Sequence, residues 1–221
     1  MERHISEQYD AALEQLRLRL LAMGGLVEQQ LQKAVRAFTT HDSVLAREVR
    51  AGDDEVNRFE VELDDECIAT IALRQPAATD LRLLVCIMKA GTDLERVGDE
   101  ADRIAKAAIS AAELPRPDNW HAEILRLSEL VAVMLRRALD AFARLDVDMA
   151  YDVIAADAEV DDEYDAVVRN AGEATAREPE LRLNTLWTAR ALERIGDHAK
   201  NLCEHVVYTV KGTDVRHSGS A

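Results

Sequence analysis

The sequence predicts an all-α protein built from a tandem pair of three-helix bundles. Hydrophobic residues form 48% of the 221-residue chain, whereas aromatic residues form only 4% and prolines number four. This composition is typical of Ala- and Leu-rich helical proteins and argues against a sandwich, a barrel or a Rossmann sheet. The second observation is an internal repeat, because both halves of the chain carry the same helix pattern.

Six long antiparallel helices follow from the breaks in the sequence. Each of the four prolines marks a helix start or end, because proline costs about 3 kcal/mol in a helix interior. Polar and acidic residues at 39–43 and 145–148 mark two further breaks, where they can cap the helix that follows. The predicted helices cover residues 5–40, 43–74, 79–112, 119–145, 148–177 and 181–211. The first repeat is predicted over 1–113 and the second over 117–213, followed by a tail at 214–221.

The repeat has two parts. A shift of 104 positions aligns residues 34–56 with 138–160 at ten identities in 23 positions. A shift of 98 aligns 94–104 with 192–202 at six identities in 11 positions. Gly98 and Gly196 fall at equivalent places in the middle of predicted helices, where glycine costs about 1 kcal/mol relative to alanine. We therefore expect a neighbouring helix to approach closely at both glycines.

Charge and hydropathy exclude several classes of protein. The net charge is −15, from 42 acidic and 27 basic residues, so a nucleic acid would be repelled. No apolar run approaches the length of a membrane span, and no signal peptide is evident, which predicts a cytoplasmic protein. The three cysteines, Cys67, Cys86 and Cys203, form no Cys-x-x-Cys pair and are expected to be small buried apolar residues.

Pairs of polar residues at a spacing of four are the strongest candidates for a site. The pairs are Asp53 with Asn57, Glu95 with Asp99, Asp157 with Asp161, and Glu193 with Asp197. Residues four apart share one helix face, and packing of the helices could bring two pairs together in each repeat. Such oxygen clusters suit hard or borderline cations.

The alternative is a solvated acidic face whose charge is partly matched by arginines such as Arg96, Arg103 or Arg194. The residues by themselves leave both interpretations open. His198 and His205 could add nitrogen ligands, although histidines of this kind are more often surface residues. The chain contains no Glu-x-x-His, Gly-x-Ser-x-Gly, Walker or dinucleotide motif, so the sequence does not indicate an enzyme.

Four motifs resemble those of the PhoU family. They are Leu-Glu-Arg-(Val/Ile)-Gly-Asp at 94–99 and 192–197, Gln-Pro at 75–76 followed by Asp-Leu-Arg at 80–82, and Gly-Thr-Asp-Val-Arg-His at 212–217. The likeness runs over nearly the whole chain. It implies two similar three-helix bundles and a cytoplasmic, commonly homodimeric negative regulator of phosphate uptake and of the phosphate-starvation response. It also implies contact with the ATPase subunit of the phosphate importer and with a membrane sensor histidine kinase, so that this chain meets the membrane only through its partners.

The resemblance also implies metal binding. Some members of the family bind iron or zinc clusters through a repeated Glu/Asp-x-x-x-Asp motif, and three of the four pairs above match it. Asp53-x-x-x-Asn57 departs from it, so the second repeat is predicted to hold the better site. The ion could be iron, zinc, manganese or magnesium. A metal-dependent helical-bundle enzyme and a helical adaptor unrelated to phosphate are the competing hypotheses.

Overall fold

The computed structural model describes residues 2–115, 121–174 and 178–215, which form helices joined by short turns and contain no strand. The helices are α1 (Glu2–Thr40), α2 (Ser43–Ala51), α3 (Asp53–Arg74), α4 (Ala78–Ala111), α5 (Ala122–Arg144), α6 (Val147–Ala174) and α7 (Pro179–Lys211). Together α2 and α3 occupy the place of the second predicted helix. The predicted pair of three-helix bundles is confirmed, with α1–α4 forming the first repeat and α5–α7 the second.

The second helix of the first repeat is interrupted at Gly52, whereas the sequence predicted one helix over 43–74. Gln30 on α1 is buried, and its Nε2 donates a hydrogen bond to the carbonyl oxygen of Gly52 over 2.9 Å. A side chain that binds a helix carbonyl disturbs the backbone ladder at that point. Met134 stands at the equivalent position of the second repeat, where α6 is continuous.

Aspartates cap the helices at both predicted polar breaks. Asp42 accepts hydrogen bonds from the backbone of Val44 and Leu45 at 3.0 and 2.9 Å. Asp146, 104 positions later, accepts one from the backbone of Met149 at 3.0 Å. These bonds satisfy amide groups that the first turn of a helix leaves without a partner, so the same turn is built twice.

Some predicted boundaries cannot be compared with the structure. The predicted helix start at 119 and helix end at 177 lie outside the described residues. So do residues 116–118 of the junction between the repeats and residues 216–221 of the tail.

The two repeats share one hydrophobic core. The contact between α4 and α7 is the most extensive between any two helices, and α1 also packs on α5. Apolar side chains spaced three or four apart along α1 are all buried there, namely Leu16, Leu20, Met23, Val27, Leu31, Val35 and Phe38. The three cysteines are buried and free of disulfides, as predicted. No helix in the described ranges is long and apolar enough to cross a membrane.

The motif at 80–82 meets the start of the motif at 212–217. The helix α7 ends at Lys211 and is capped by Gly212, which has a φ of +69° that favours glycine. The guanidinium of Arg82 lies beside this glycine, and its Nε donates to the carbonyl oxygen of Thr209 over 3.5 Å. The start of α4 is thereby tied to the end of α7, although residues 216 and 217 of the second motif are outside the described part of the chain.

Candidate metal centres

The first acidic cluster forms where α3 faces α4. Asp53 and Asn57 lie one turn apart on α3, and the Asn57 amide donates to Asp53 Oδ2 over 3.4 Å. Glu95 and Asp99 lie one turn apart on the facing surface of α4. Burial raises the pKa of Asp53, and repulsion from Asp102 and Asp99 raises it further. The four predicted residues of the first repeat are therefore brought together, and Asp102 joins them although the sequence analysis did not select it.

Several oxygens of the first cluster are buried without a hydrogen-bond partner among the described residues. They are Asp53 Oδ1, Asn57 Oδ1 and Glu95 Oε2. Arg96 partly compensates the charge of Glu95 and Asp99. Its Nε lies 3.3 Å from Glu95 Oε2 and its Nη1 lies 3.3 Å from Asp99 Oδ2. Burial raises the pKa of Glu95, and Asp99 adds to the shift while Arg96 opposes it. An oxygen that is buried without a partner carries a desolvation cost that a bound cation could relieve.

The second acidic cluster forms at the equivalent place between α6 and α7. Burial and repulsion from Asp197 raise the pKa of Glu193, with smaller contributions from Asp161 and Asp157. Glu193 Oε2 is buried without a hydrogen-bond partner in the described part of the chain. The four predicted residues of the second repeat are therefore neighbours too.

A lysine distinguishes the second cluster from the first. Lys200 on α7 forms an ion pair with the buried Asp157, and this hydrogen bond raises the pKa of Lys200. The residue 98 positions earlier is Asp102. The second cluster thus has a lysine where the first has Asp102, which is itself paired with Arg50 and Lys106. The preference for the second site stays a prediction.

Glycines set the close approach of the helices on which both clusters depend. A Cβ placed on Gly98 would lie 3.2 Å from Cγ1 of Val56, and one on Gly196 would lie 3.1 Å from Cγ1 of Val160. The two valines are 104 positions apart, so the same contact occurs in each repeat. The expectation of a close helix approach at the two glycines is confirmed.

The oxygen donors of both clusters suit a hard or borderline cation, but their side chains are not arranged around an ion. Carboxylate and amide oxygens are the ligands that such ions prefer. As the side chains stand, no group of three or more His, Cys, Asp or Glu residues within the described ranges is placed to hold a metal ion. Asp161 and Asp197 are exposed, so a change of rotamer could bring their carboxylates toward an ion.

Neither histidine expected at the surface lies there. His198 and His205 on α7 are largely shielded, and both contact Asp93 on α4. His198 Nδ1 lies 2.9 Å from Asp93 Oδ1, His205 Nε2 lies 2.9 Å from Asp93 Oδ2, and the Asn201 amide donates to Asp93 Oδ1 over 3.0 Å. We call these four residues the Asp93 clasp. The clasp holds one ring nitrogen of each histidine at Asp93, and within the described ranges neither histidine belongs to a group placed to hold a metal ion.

Hydrogen bonds in the clasp lower the pKa of Asp93 by more than burial raises it. Burial by itself would raise the pKa of Asp93, but the bonds from His198, His205 and Asn201 lower it to about 2. The clasp as a unit was not predicted from the sequence. A usable signal was present, because positions 198, 201 and 205 have the spacing of one helix face that points into a core.

Two of the arginines proposed to balance the acidic pairs have another partner. Arg103 and Arg194 both bind Glu100, at 2.6 and 2.7 Å, and Glu100 is 2% exposed. The partner of Glu193 is instead Arg190, at 2.7 Å. Of the three arginines, Arg96 alone pairs with the acidic cluster as expected. Arg103 binds Glu100 one turn away on α4, and the register between α4 and α7 brings Arg194 to the same buried carboxylate.

Comparisons with known proteins agree with the duplicated architecture. The PhoU domain matches twice, over residues 20–108 and 124–206. The chain is 47% identical to a phosphate-specific transport system accessory protein PhoU homolog of Pseudomonas aeruginosa, over 98% of this chain and 90% of that protein. It is 42% identical to the accessory protein PhoU of Escherichia coli, over 99% of this chain and 92% of that protein.

Solved structures show the same fold. The crystal structure of PhoU from P. aeruginosa superimposes with a TM-score of 0.88 at 45% identity, over 93% of this chain and all of that one. The phosphate transport system regulatory protein PhoU from Streptococcus pneumoniae superimposes with a TM-score of 0.87 at 27% identity, over 94% and 99% of the two chains.

Proposed function

Because the chain belongs to the PhoU family, we propose that it is a cytoplasmic negative regulator of phosphate uptake and of the phosphate-starvation response. The observation that carries the proposal is the match across 98% of the chain to relatives named as accessory proteins of phosphate-specific transport. The protein acts by contact, as a homodimer, with the ATPase subunit of the phosphate importer and with the sensor histidine kinase. Each contact is micromolar or weaker, as in other transient signalling complexes.

Rigid helical surfaces support a role in docking better than a role in turnover. The helices α1 and α3–α7 contribute to one shared core, and the acidic surface of a chain with net charge −15 favours a basic partner. The regulator performs no chemical turnover of its own.

Metal ions bind at the two acidic clusters in this proposal. Asp53, Asn57, Glu95 and Asp99 hold the ions of the first repeat. Asp157, Asp161, Glu193 and Asp197 hold those of the second repeat. One buried oxygen on each of Asp53, Asn57, Glu95 and Glu193 has no hydrogen-bond partner among the described residues, which supports this assignment. The bound iron, zinc, manganese or magnesium supplies positive charge that relieves the repulsion, so metal binding and stability are linked.

A reporter strain tests the regulatory role. The gene is deleted in its host, and phosphatase expression is measured in high phosphate with plasmid-borne variants. We expect the deletion to release phosphatase expression and the wild type to restore repression. The double variant Glu193→Ala, Asp197→Ala is expected to fold but to restore repression poorly. A matched control, Glu159→Ala with Asp162→Ala, removes two exposed acids from α6 and is expected to behave as the wild type.

The outcome separates two claims. Repression that persists in the deletion strain contradicts the regulatory function itself. Full repression by the Glu193→Ala, Asp197→Ala variant leaves the regulatory function standing and contradicts the role of the second cluster in it.

Elemental analysis and thermal unfolding test the metal sites directly. Protein purified without chelator is expected to contain metal, and added iron, zinc or manganese is expected to raise the Tm. The quadruple variant Asp53→Ala, Asp99→Ala, Asp157→Ala, Asp197→Ala is expected to lose both effects. If the wild type takes up no metal and its Tm does not change, the clusters are a plain acidic surface.

A further inference from the structure

The Asp93 clasp fills one end of the interface between α4 and α7. The other end of this interface contains a cavity. The repeat relates positions 98 apart, so each residue of the clasp has a counterpart in the other repeat. The counterparts of Asp93, His198, Asn201 and His205 are Ala191, Glu100, Arg103 and Ala107. All four counterparts line a cavity of about 400 Å³ between the two helices. The cavity exists because alanine occurs at two positions where the clasp has aspartate and histidine.

The rim of this cavity is cationic in a strongly acidic protein. Four basic side chains line it, namely Arg103, Lys106, Arg190 and Arg194, and Glu100 is the acid among the lining residues. Glu100 Oε1 accepts from both Arg103 and Arg194, so one positive charge is left uncompensated. The side chains of Arg103, Lys106 and Arg190 are each more than half exposed and can turn toward a ligand.

A second positive charge is uncompensated because the partner of Lys106 also binds an arginine. Asp102 binds both Lys106 and Arg50, the latter at 3.0 Å. Two carboxylates, those of Glu100 and Asp102, are thus shared among four cationic side chains. The neighbourhood of the cavity is suited to an anion, in contrast to the chain as a whole.

The walls of the cavity are suited to a flat ring. Trp187 lines it and is 58% exposed, so a face of its indole is available for stacking. Ala107 and Ala191 leave the space beside the indole free. A volume of about 400 Å³ lies within the range of small-molecule sites.

Asn184 gives the cavity a buried hydrogen-bond acceptor, so a ligand bound there should carry a donor. Asn184 lines the cavity, is 2% exposed, and its amide nitrogen donates to Ser110 Oγ at 3.2 Å and to the Glu180 carbonyl at 3.0 Å. Its Oδ1 is buried with no hydrogen-bond partner among the described residues. A buried acceptor without a partner is costly, and an N–H group of a ligand would satisfy it.

We propose that the cavity between α4 and α7 binds a nucleotide. The base stacks on Trp187 and donates an N–H hydrogen bond to Asn184 Oδ1. The phosphates bind the guanidinium groups of Arg103 and Arg190 and the ammonium group of Lys106. The site does not include the proposed metal ligands and does not depend on metal, although Arg190 also pairs with Glu193 of the second acidic cluster at 2.7 Å.

Calorimetric and fluorescence titrations of the purified full-length chain test the proposal. The probes are ATP, ADP, AMP, adenosine and inorganic triphosphate. Fluorescence is recorded in a Trp120→Phe background, because the chain has two tryptophans. We expect one ADP or ATP per chain to bind and to change the emission of Trp187. Adenosine and triphosphate are each expected to bind at least tenfold more weakly, because each supplies only half of the contacts.

Variants distinguish the cavity from nonspecific binding. Trp187→Ala and the double variant Arg103→Gln, Lys106→Gln are each expected to weaken ADP binding at least tenfold. Trp187→Phe, measured by calorimetry, keeps a ring and is expected to retain most of the affinity. Arg182→Gln removes an exposed cation from the same helix, away from the cavity, and is expected to have no effect.

Three results would overturn the proposal. The first is no saturable binding of any nucleotide up to about 1 mM. The second is binding of triphosphate as tight as that of ATP, which would make the rim a plain anion site. The third is loss of the dimer in Trp187→Ala with no change in ADP binding, which would make the tryptophan a contact between copies of this chain. None of these measurements involves the phosphatase reporter, so failure here is separate from failure of the regulatory function.

Discussion

The two ends of the α4–α7 interface have equivalent backbone positions and opposite contents. At one end, Asp93 accepts three hydrogen bonds from α7 and fills the space between the helices. At the other end, Ala191 and Ala107 leave a cavity of about 400 Å³. The two repeats therefore place equivalent backbone positions at both ends of the interface. The side chains at a few of these positions fill one end and leave a candidate binding site at the other.

The two acidic clusters differ in a similar way. Both lie beside a glycine that lets two helices approach closely, at Gly98 and at Gly196. The first cluster includes an amide, Asn57, and a further carboxylate, Asp102, whereas the second has the Lys200–Asp157 ion pair. The backbone brings the charged residues of each cluster together, but the individual side chains determine the net charge of each cluster.

The largest expected effect comes from Asp93→Ala. This variant replaces the acceptor of the clasp with alanine, the residue found at the equivalent position 191 of the second repeat. We expect a loss of about 3 kcal/mol in the free energy of unfolding, because the variant leaves two histidines and an asparagine without their buried acceptor. Urea unfolding at pH 7 measures it.

A control and a pH series make this prediction specific. Asp65→Ala removes an exposed aspartate from α3 and is expected to change the free energy of unfolding by less than about 0.5 kcal/mol. The pKa of Asp93 is lowered from 3.8 to about 2, so its stabilisation is fully present above pH 3.8 and is lost as the pH falls through about 2. The difference between wild type and Asp93→Ala should shrink over that interval. A loss no larger than that of Asp65→Ala would contradict the clasp.

A smaller effect is expected from exchanging Gln30 and Met134, the equivalent residues of the two repeats. Met134→Gln places an amide at a 3% exposed position beside the continuous helix α6, and we expect a loss of about 2 kcal/mol. Gln30→Met removes the hydrogen bond to Gly52 and is expected to cost about 1 kcal/mol.

Urea unfolding and amide hydrogen exchange measure the two exchanges. Exchange at residues 52–56 should change in Gln30→Met, and exchange in α6 near residue 156 should be faster in Met134→Gln. Equal losses in the two variants, with no local change in exchange, would show that the helix interruption does not depend on Gln30.

The smallest expected effect concerns the pH dependence of the acidic clusters. Burial and neighbouring carboxylates raise the pKa values of Glu95 and Glu193, so their charged forms destabilise the folded state. This destabilisation is present above the raised pKa values and disappears as the pH falls below the unfolded value near 4.5. In chelator, the variant Glu95→Gln, Glu193→Gln should be more stable than the wild type at pH 7 by a few tenths of a kcal/mol. A difference that did not narrow toward pH 4 would mean that carboxylate repulsion is not its cause.

The sequence was sufficient for those features that depend on residues close together in the chain. Helix periodicity placed the buried stripe of α1, and glycines at equivalent mid-helix positions predicted a close helix approach at Gly98 and at Gly196. The spacing of four likewise placed each candidate ligand pair on one helix face. Capping aspartates at 42 and 146 identified two turns, because a cap involves only the next few residues.

The tertiary structure alone decided which distant side chains meet. Periodicity indicates which residues share a helix face, but the axial register between α4 and α7, about 100 positions apart in the chain, determines which charges pair. For this reason Arg194 binds Glu100 rather than the acidic cluster, and His198 binds Asp93 rather than lying at the surface. Similarly, the interruption at Gly52 depends on a glutamine from another helix, and the cavity beside Trp187 depends on two alanines whose partners the local sequence does not specify.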